Sequence, residues 1–291
     1  MVNLYTVQAR FDEAQPLAER SLAISEKTLR PNHPDLAWSL AALANIHQVR
    51  GRYGEAEQLY HRALSIRETA LGPDHVEVAW SLGQLADLYY ELGKYEDALA
   101  LAQRAAAISE KVLGTQHPDV CWISDALAHI YLAQHRLADA MQLALWTKKV
   151  RETALGENHS DVGISLSLLA EERLLAKQYS ESEALVKRSI AISEKVFGLN
   201  HPHIADGLNT LASIYREQGR YADADPLYRQ SLTIREKVFG PDSIPVAWSL
   251  ESKAVLLRKT SHNTEAGKME TRAAAIREQA LKRINVSQNK P

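Results

Sequence analysis

The sequence predicts an all-α fold, an α-solenoid of tandem antiparallel helix pairs, from three observations. Blocks of sequence recur at a fixed 42-residue interval, apolar residues inside each block follow helical spacing, and helix breakers are scarce. With 13 Gly and 10 Pro in 291 residues, these two types make up about 8% of the chain against roughly 12% in average usage, which disfavours collagen, linkers and turn-dense β folds.

The repeat is the organising feature. His33, His75, His117, His159 and His201 follow one another at 42 residues, and the next step lands on Ser243. Glycine recurs in the same register at Gly72, Gly114, Gly156, Gly198 and Gly240, and glutamate from Glu26 through Glu68, Glu110, Glu152, Glu194 and Glu236 to Glu278. A length prior of about two domains at ~150 residues each therefore gives way to one unit copied along the chain. A period near 42 fits WD40 blades, HEAT or armadillo helices, or a lengthened tetratricopeptide unit, so the spacing inside the unit decides.

That spacing is helical. Leu82, Leu85, Ala86 and Tyr89 stand at i, i+3, i+4 and i+7, one apolar stripe of a first helix, A. Gly93-Lys94-Tyr95 interrupts the pattern, and a second stripe, helix B, runs through Ala98, Leu99, Ala102, Ala105 and Ile108 to Gly114. That glycine suits the left-handed residue that ends a helix. Pro34, Pro118 and Pro202 suit a first helical turn, where a missing N–H costs nothing, and Asp35 and Asp119 add negative charge at the same end.

These residues resemble the tetratricopeptide pattern. Leu40-x2-Leu43-Ala44-x2-His47 followed by Ala56-x3-Tyr60 matches it, and so do Leu208, Leu211, Ala212, Tyr215, Ala224 and Tyr228. The His-Pro loop and the helix-B ending Ile234 to Gly240 are similar to the 42-residue subtype found in kinesin light chains and many bacterial scaffolds. The resemblance covers residues 4 to 283 and implies a right-handed solenoid that binds proteins. It implies no single task, because such repeats serve many.

The expected organisation is an incomplete N-terminal repeat over residues 1–29, five full repeats over 30–242, a degenerate C-terminal capping repeat over 243–283 and a tail over 284–291. Phe11 takes the turn-aromatic position of Tyr53 and Tyr95, which leaves only Met1 to Arg10 for its helix A. Asn263 and Glu270 replace aromatics near the other end and would present polar groups where no further repeat follows, the mark of a cap.

In this family helix A lines the concave side. The resemblance places its ligand-facing positions on Trp80, Gly83, Asp87, Tyr90 and Glu91, and two residues of offset from the core stripe turn this set roughly 200° away from it. The lead positions are Trp38, Trp80, Trp122, Ile164, Asp206 and Trp248, so four of five tryptophans share one phase. Either they pack between neighbouring A helices or they form an aromatic ladder for a partner. Asp87, Glu91, Asp125, Glu171, Asp206, Glu217 and Glu251 outnumber Arg216, Arg258 and Lys259 on this face. An acidic, aromatic groove then favours a partner segment with Lys or Arg beside apolar side chains. The expected peptide-binding residues are Trp38, Trp80, Asp87, Tyr90, Glu91, Trp122, Asp125, His129, Asn209 and Trp248. In kinesin light chains the resemblance would imply tryptophan-acidic cargo held by helix-A asparagine pairs; here only Asn209 matches, so that specificity is not carried over.

Catalytic chemistry finds no purchase. The loop histidines come one per repeat, roughly 10 Å apart, whereas zinc needs nitrogens within ~2.1 Å. The pair His201 and His203 has no carboxylate or thiol companion at helical spacing. Cys121 is the only cysteine; it excludes an intramolecular disulfide and a cysteine-based zinc site and reads as a small buried residue in a reducing cytosol. No phosphate-binding, dinucleotide, nucleophile-elbow or zinc-protease motif occurs. Balanced charge, 34 basic against 36 acidic residues, gives no electrostatic lure for nucleic acid or membranes, and no leader or spanning segment is read. The sequence thus predicts a cytoplasmic, non-catalytic binding scaffold without cofactors or metals, or alternatively a structural module that self-associates through its N-terminal half-repeat.

Overall fold

Each helix starts and stops where the repeat places a specific residue. The structure, a computed structural model, describes residues 2–288, with residues 3 and 283–288 as backbone alone. Fourteen helices form among the described residues. In chain order they are α1 (Val2–Val7), α2 (Phe11–Thr28), α3 (Pro34–Val49), α4 (Tyr53–Leu71), α5 (Val76–Glu91), α6 (Tyr95–Leu113) and α7 (Pro118–Ala133). They continue with α8 (Leu137–Leu155), α9 (Ser160–Leu175), α10 (Tyr179–Phe197), α11 (Pro202–Glu217), α12 (Tyr221–Phe239), α13 (Ile244–Lys259) and α14 (Asn263–Gln288). From α3 onward the odd, or A, helices begin 42 residues apart, as the sequence repeat requires. The fold is the all-α solenoid of antiparallel helix pairs.

The recurring histidine is the N-cap of helix A. The backbone N–H groups of Asp35, Glu77 and Asp119 donate to Nδ1 of His33, His75 and His117 at 3.2 Å, and those of Asp161 and His203 to His159 and His201 at 3.3 Å. Each bond satisfies one of the N–H groups that a helix leaves unpaired at its start. Helix B begins differently. Before α2, α6, α8 and α12 the preceding basic residue stacks on a tyrosine of the helix before it, as Arg136 does on Tyr131 at 4.0 Å and Arg220 on Tyr215 at 3.8 Å, while Arg136 and Arg220 also pair with Asp139 and Asp223 three residues on.

Two sequence expectations need correction. The glycines after helix B have positive φ, 78° to 88°, but ψ of 154° to 173°; they are not left-handed helical but lie in an extended region open essentially to glycine. Lys282 stands where the next such glycine would fall, and without that stop α14 runs on to Gln288. Residues 284–288, expected as tail, are therefore helical, and 289–291 lie outside the described residues.

B helices pack on their own A helix and on the A helix that follows, as α4 does on α3 and α5, α10 on α9 and α11, and α12 on α11 and α13. The recurring glutamate links successive B helices: Glu26 to Arg62 and Glu68 to Arg104 at 2.7 Å, and Glu236 to Arg272 at 2.8 Å. Cys121 is fully buried at the helix-A position held elsewhere by Ala37, Ala79 and Ala205, so it acts as a small core residue. The chain divides into two compact units, one taking in residues up to Ala126 with the segment from Gln279, the other Leu127–Glu278. No helix among the described residues is long and apolar enough to cross a membrane.

Candidate functional site

In the first unit the tryptophans of α3, α5 and α7 lie between successive A helices and remain partly open. Trp38 is 44% exposed and meets Trp80 edge to face, with ring centroids 5.2 Å apart, a favoured aromatic geometry. Trp122 lies on α5 at Gly83, where an added Cβ would stand only 2.5 Å from its Cη2. The indoles thus fill the lattice between A helices, while Trp38, Trp80 and Trp122 keep solvent-accessible surface.

Behind this row sits a residue that the sequence reading did not single out. Arg67 of α4 is 1% exposed, lies 4.7 Å from the Trp38 ring centre, donates to Ser81 Oγ at 2.6 Å and pairs with Glu77 at 3.2 Å. Arg151 and Arg235 repeat the arrangement, donating to Ser165 at 2.8 Å and Ser249 at 2.7 Å. A signal was available: the residue before the recurring glutamate alternates Ser25, Arg67, Ser109, Arg151, Ser193, Arg235 over the first six copies, and only the last, Arg277, breaks the alternation.

Carboxylates of the first unit lie further along the same helices, Asp87 and Glu91 about two to three turns beyond Trp80 and Asp125 about one turn beyond Trp122. Asp87 and Glu91 of α5 are partly buried and Asp125 of α7 is buried. Burial pushes the Asp87 carboxyl up to about 7, and the charges of Glu91 and Asp125 add to the shift. Glu91 is also pushed up to about 7 by burial, although hydrogen bonds from Gln48 and Tyr53 favour its ionised form. Gln48 Nε2 donates to Glu91 at 2.9 Å and its Oε1 accepts from the Tyr60 hydroxyl at 3.1 Å. Asp87 makes no ion pair or hydrogen bond among the described residues. Tyr90 turns toward Tyr95, ring centroids 5.8 Å apart.

The second unit pairs three of these acids with arginines. Asp206 accepts from Arg235 at 2.7 Å, Glu251 takes two bonds from Arg277 at 2.6 and 2.7 Å, and Glu217 pairs with Arg216 at 2.9 Å. His129 lies 3.9 Å from Glu171, whose carboxyl is pushed up to about 7 by burial and by Asp206 and drawn down by Arg235. Asn209 holds its Oδ1 away from solvent without a hydrogen-bond partner, and Trp248 is partly buried on α13. Of the face expected to be acidic along its length, Asp87 and Glu91 of α5 and Glu171 of α9 carry carboxyls raised by burial and without an ion pair to Lys or Arg among the described residues. Among the described residues no three His, Cys, Asp or Glu side chains gather as metal ligands would.

The helix pairs, their 42-residue register and the matched segments together settle the family. The Tetratricopeptide repeat family matches residues 1–48, 40–111, 84–153, 158–237 and 203–279. The chain belongs to the tetratricopeptide repeat family. Its fold is similar to that of a protein from Podosopora anserina described as a kinesin light chain with nearly identical TPR-like repeats, at 26% identity over 70% of this chain and 97% of that one, TM-score 0.52. It is similar to BtubC (BKLC) from P. vanneervenii, at 19% identity over 79% and 92%, TM-score 0.57. A Rap protein solved in complex with competence and sporulation factor aligns over 97% of this chain and 84% of its own, at 15% identity and TM-score 0.71. No curated protein matches significantly by sequence. Tetratricopeptide arrays present extended binding surfaces built from stacked repeats, and as a member this chain is a protein-interaction scaffold.

Proposed function

We propose that the scaffold binds a partner segment along the A-helix face of its first unit, and that the segment carries Lys or Arg beside apolar side chains. The carrying observation is the uncompensated carboxyl pair Asp87 and Glu91, with Asp125 beside it, next to the partly open indoles of Trp38, Trp80 and Trp122. A cation from the partner relieves repulsion that the chain itself leaves unrelieved. Aromatic rings with accessible faces supply contact area and attract cations. The Rap protein of like fold, solved with a factor bound, supports the general mode of a partner held by the array. In the second unit, taken by itself, Asn209, with its unpartnered amide oxygen, and the His129–Glu171 and Trp248 positions are proposed as partner-contacting residues. A reducing, cytoplasmic setting accords with the free, buried Cys121.

The test is a fluorescence titration of the full chain against a library of basic-apolar peptides, with Trp80→Ala and the double variant Asp87→Asn/Glu91→Gln alongside. Each variant is expected to weaken binding about tenfold, equivalent to ~1.4 kcal/mol. Peptides that bind all three proteins equally would overturn the proposal.

A further inference from the structure

The outer face of the B helices keeps one chemistry from copy to copy and abandons it in α8. Leu145 stands where the other B helices carry Glu19, His61, Gln103, Lys187, Arg229 and Thr271, and all seven positions are exposed. Trp146 replaces what is arginine in five of the other copies and Gln230 in the sixth. Lys149 stands where the others carry only serine, alanine or threonine. Three neighbours on one helical face, at i, i+1 and i+4, have changed together. The stack gains nothing from the exchange. Where the arginine is present it bridges to the recurring glutamate of the preceding B helix, as Arg188 does to Glu152 at 3.6 Å and Arg272 to Glu236 at 2.8 Å, and an indole cannot form that bridge. Leu145 is 47% exposed, whereas Ala144 and Thr147 beside it, at most 1% exposed, carry the packing of α8. Trp146 is only partly buried. Lys149 is exposed, and its ammonium has no ion pair or hydrogen bond among the described residues. The nearby lysines are already satisfied, Lys148 by Glu152 at 2.8 Å and Lys187 by Glu183 at 2.6 Å.

We propose that Leu145, Trp146 and Lys149 form a second docking surface, on α8 of the second unit, and that its occupant is a partner segment presenting apolar side chains with Asp or Glu beside them. Charge complementarity names the occupant. Lys149 is left unpaired by the chain itself, so an acid of the partner gains an ion pair there and a basic residue meets repulsion. Trp146 is the aromatic anchor, and covering Leu145 removes an exposed aliphatic side chain from water. The preference is the reverse of that proposed for the A-helix face and does not rest on it.

The repeat supplies its own control, because Leu145→Lys/Trp146→Arg/Lys149→Ala gives α8 the residues that α10 carries at these positions, Lys187, Arg188 and Ala191. The probe is a displayed library of random peptides selected on the full chain, the enriched peptides then being labelled with fluorescein and titrated by anisotropy. Peptides with Asp or Glu beside apolar residues are expected among them, binding the triple variant at least tenfold more weakly than wild type and Asp87→Asn/Glu91→Gln unchanged. Leu145→Lys alone, at an exposed position, leaves the thermal midpoint unaltered and should also weaken them, which separates loss of the surface from loss of the fold. A selection that yields no peptide sensitive to the triple variant overturns the proposal, as do sensitive peptides that are basic or uncharged. Sedimentation provides the third arm: dimerisation abolished by the triple variant assigns the face to a second copy and overturns it too.

Discussion

The guanidinium of Arg67 stacks 4.7 Å from the centre of the Trp38 ring, joining the buried lattice between repeats to the most exposed indole of the A-helix face. Burial drives the Arg67 pKa down, and Glu77 opposes that shift. Arg67 cannot be exchanged for another cation without loss, because a planar fork reaches Trp38, Ser81 and Glu77 together. Arg67→Lys is expected to cost roughly 1–3 kcal/mol and Arg67→Ala roughly 3–5 kcal/mol, the latter leaving Glu77 without its partner. Urea unfolding of the two variants measures both, and equal stabilities for wild type and Arg67→Lys would show that only charge matters.

Two helix-A glycines differ in what they face. A Cβ at Gly83 meets the Trp122 ring at 2.5 Å, whereas one at Gly163 makes an ordinary approach of 3.6 Å to Ile192. Gly83→Ala must displace the indole, at a cost of roughly 1–3 kcal/mol. Gly163→Ala should stabilise by about 0.5–1 kcal/mol through helix propensity alone. Thermal melts decide the sign at each site, and a shift of the tryptophan emission confined to Gly83→Ala reports the moved ring.

The Asp87 and Glu91 carboxyls, both at about 7 in the fold, make stability depend on pH. Unfolded carboxyls titrate near 4, so between about 4 and 7 the folded state holds more protons and stability falls as pH rises. Asp87→Asn removes that loss. At pH 8 its midpoint is expected to exceed wild type by roughly 2–4 °C, about 1 kcal/mol for a chain of this size, and at pH 4 the difference should vanish. A pH-independent gain would point to packing rather than charge. Affinity for a cationic peptide runs the opposite way and increases from pH 6 to pH 8 as the pair ionises.

The cap histidines give a plainer test. His75→Ala forfeits the bond to the Glu77 N–H and is expected to cost about 0.5–2 kcal/mol, while His75→Asn or His75→Asp, both strong caps, should restore wild-type stability. Chemical denaturation of the three variants separates capping from packing of the imidazole ring, since only packing would leave Asn and Asp as damaging as Ala.

The helix pairs, their register and the small buried role of Cys121 were legible in the residues, because each follows from local periodicity and recurs in every unit. The lead tryptophans were found by phase, yet phase could not tell whether an indole lies between helices or faces outward. That depends on what the neighbouring helix offers, Gly83 to Trp122 and Arg67 to Trp38. The loop histidines read as helix-start residues, and the structure adds that their Nδ1 atoms cap those helices, a role not legible because histidine is not among the usual capping types.

The sequence by itself determined a fold that needs only contacts between adjacent segments: a 42-residue pattern specifies one helix pair, and its copying specifies the stack. Tertiary structure alone decided which acids carry uncompensated charge. Asp206, Glu217 and Glu251 face Arg235, Arg216 and Arg277, whereas Asp87 faces Glu91 and Asp125. A carboxylate's energy depends on lost water and, for Asp206, Glu251 and Asp87, on charges 26 to 38 residues away on other helices, neither of which can be read from spacing along a single helix.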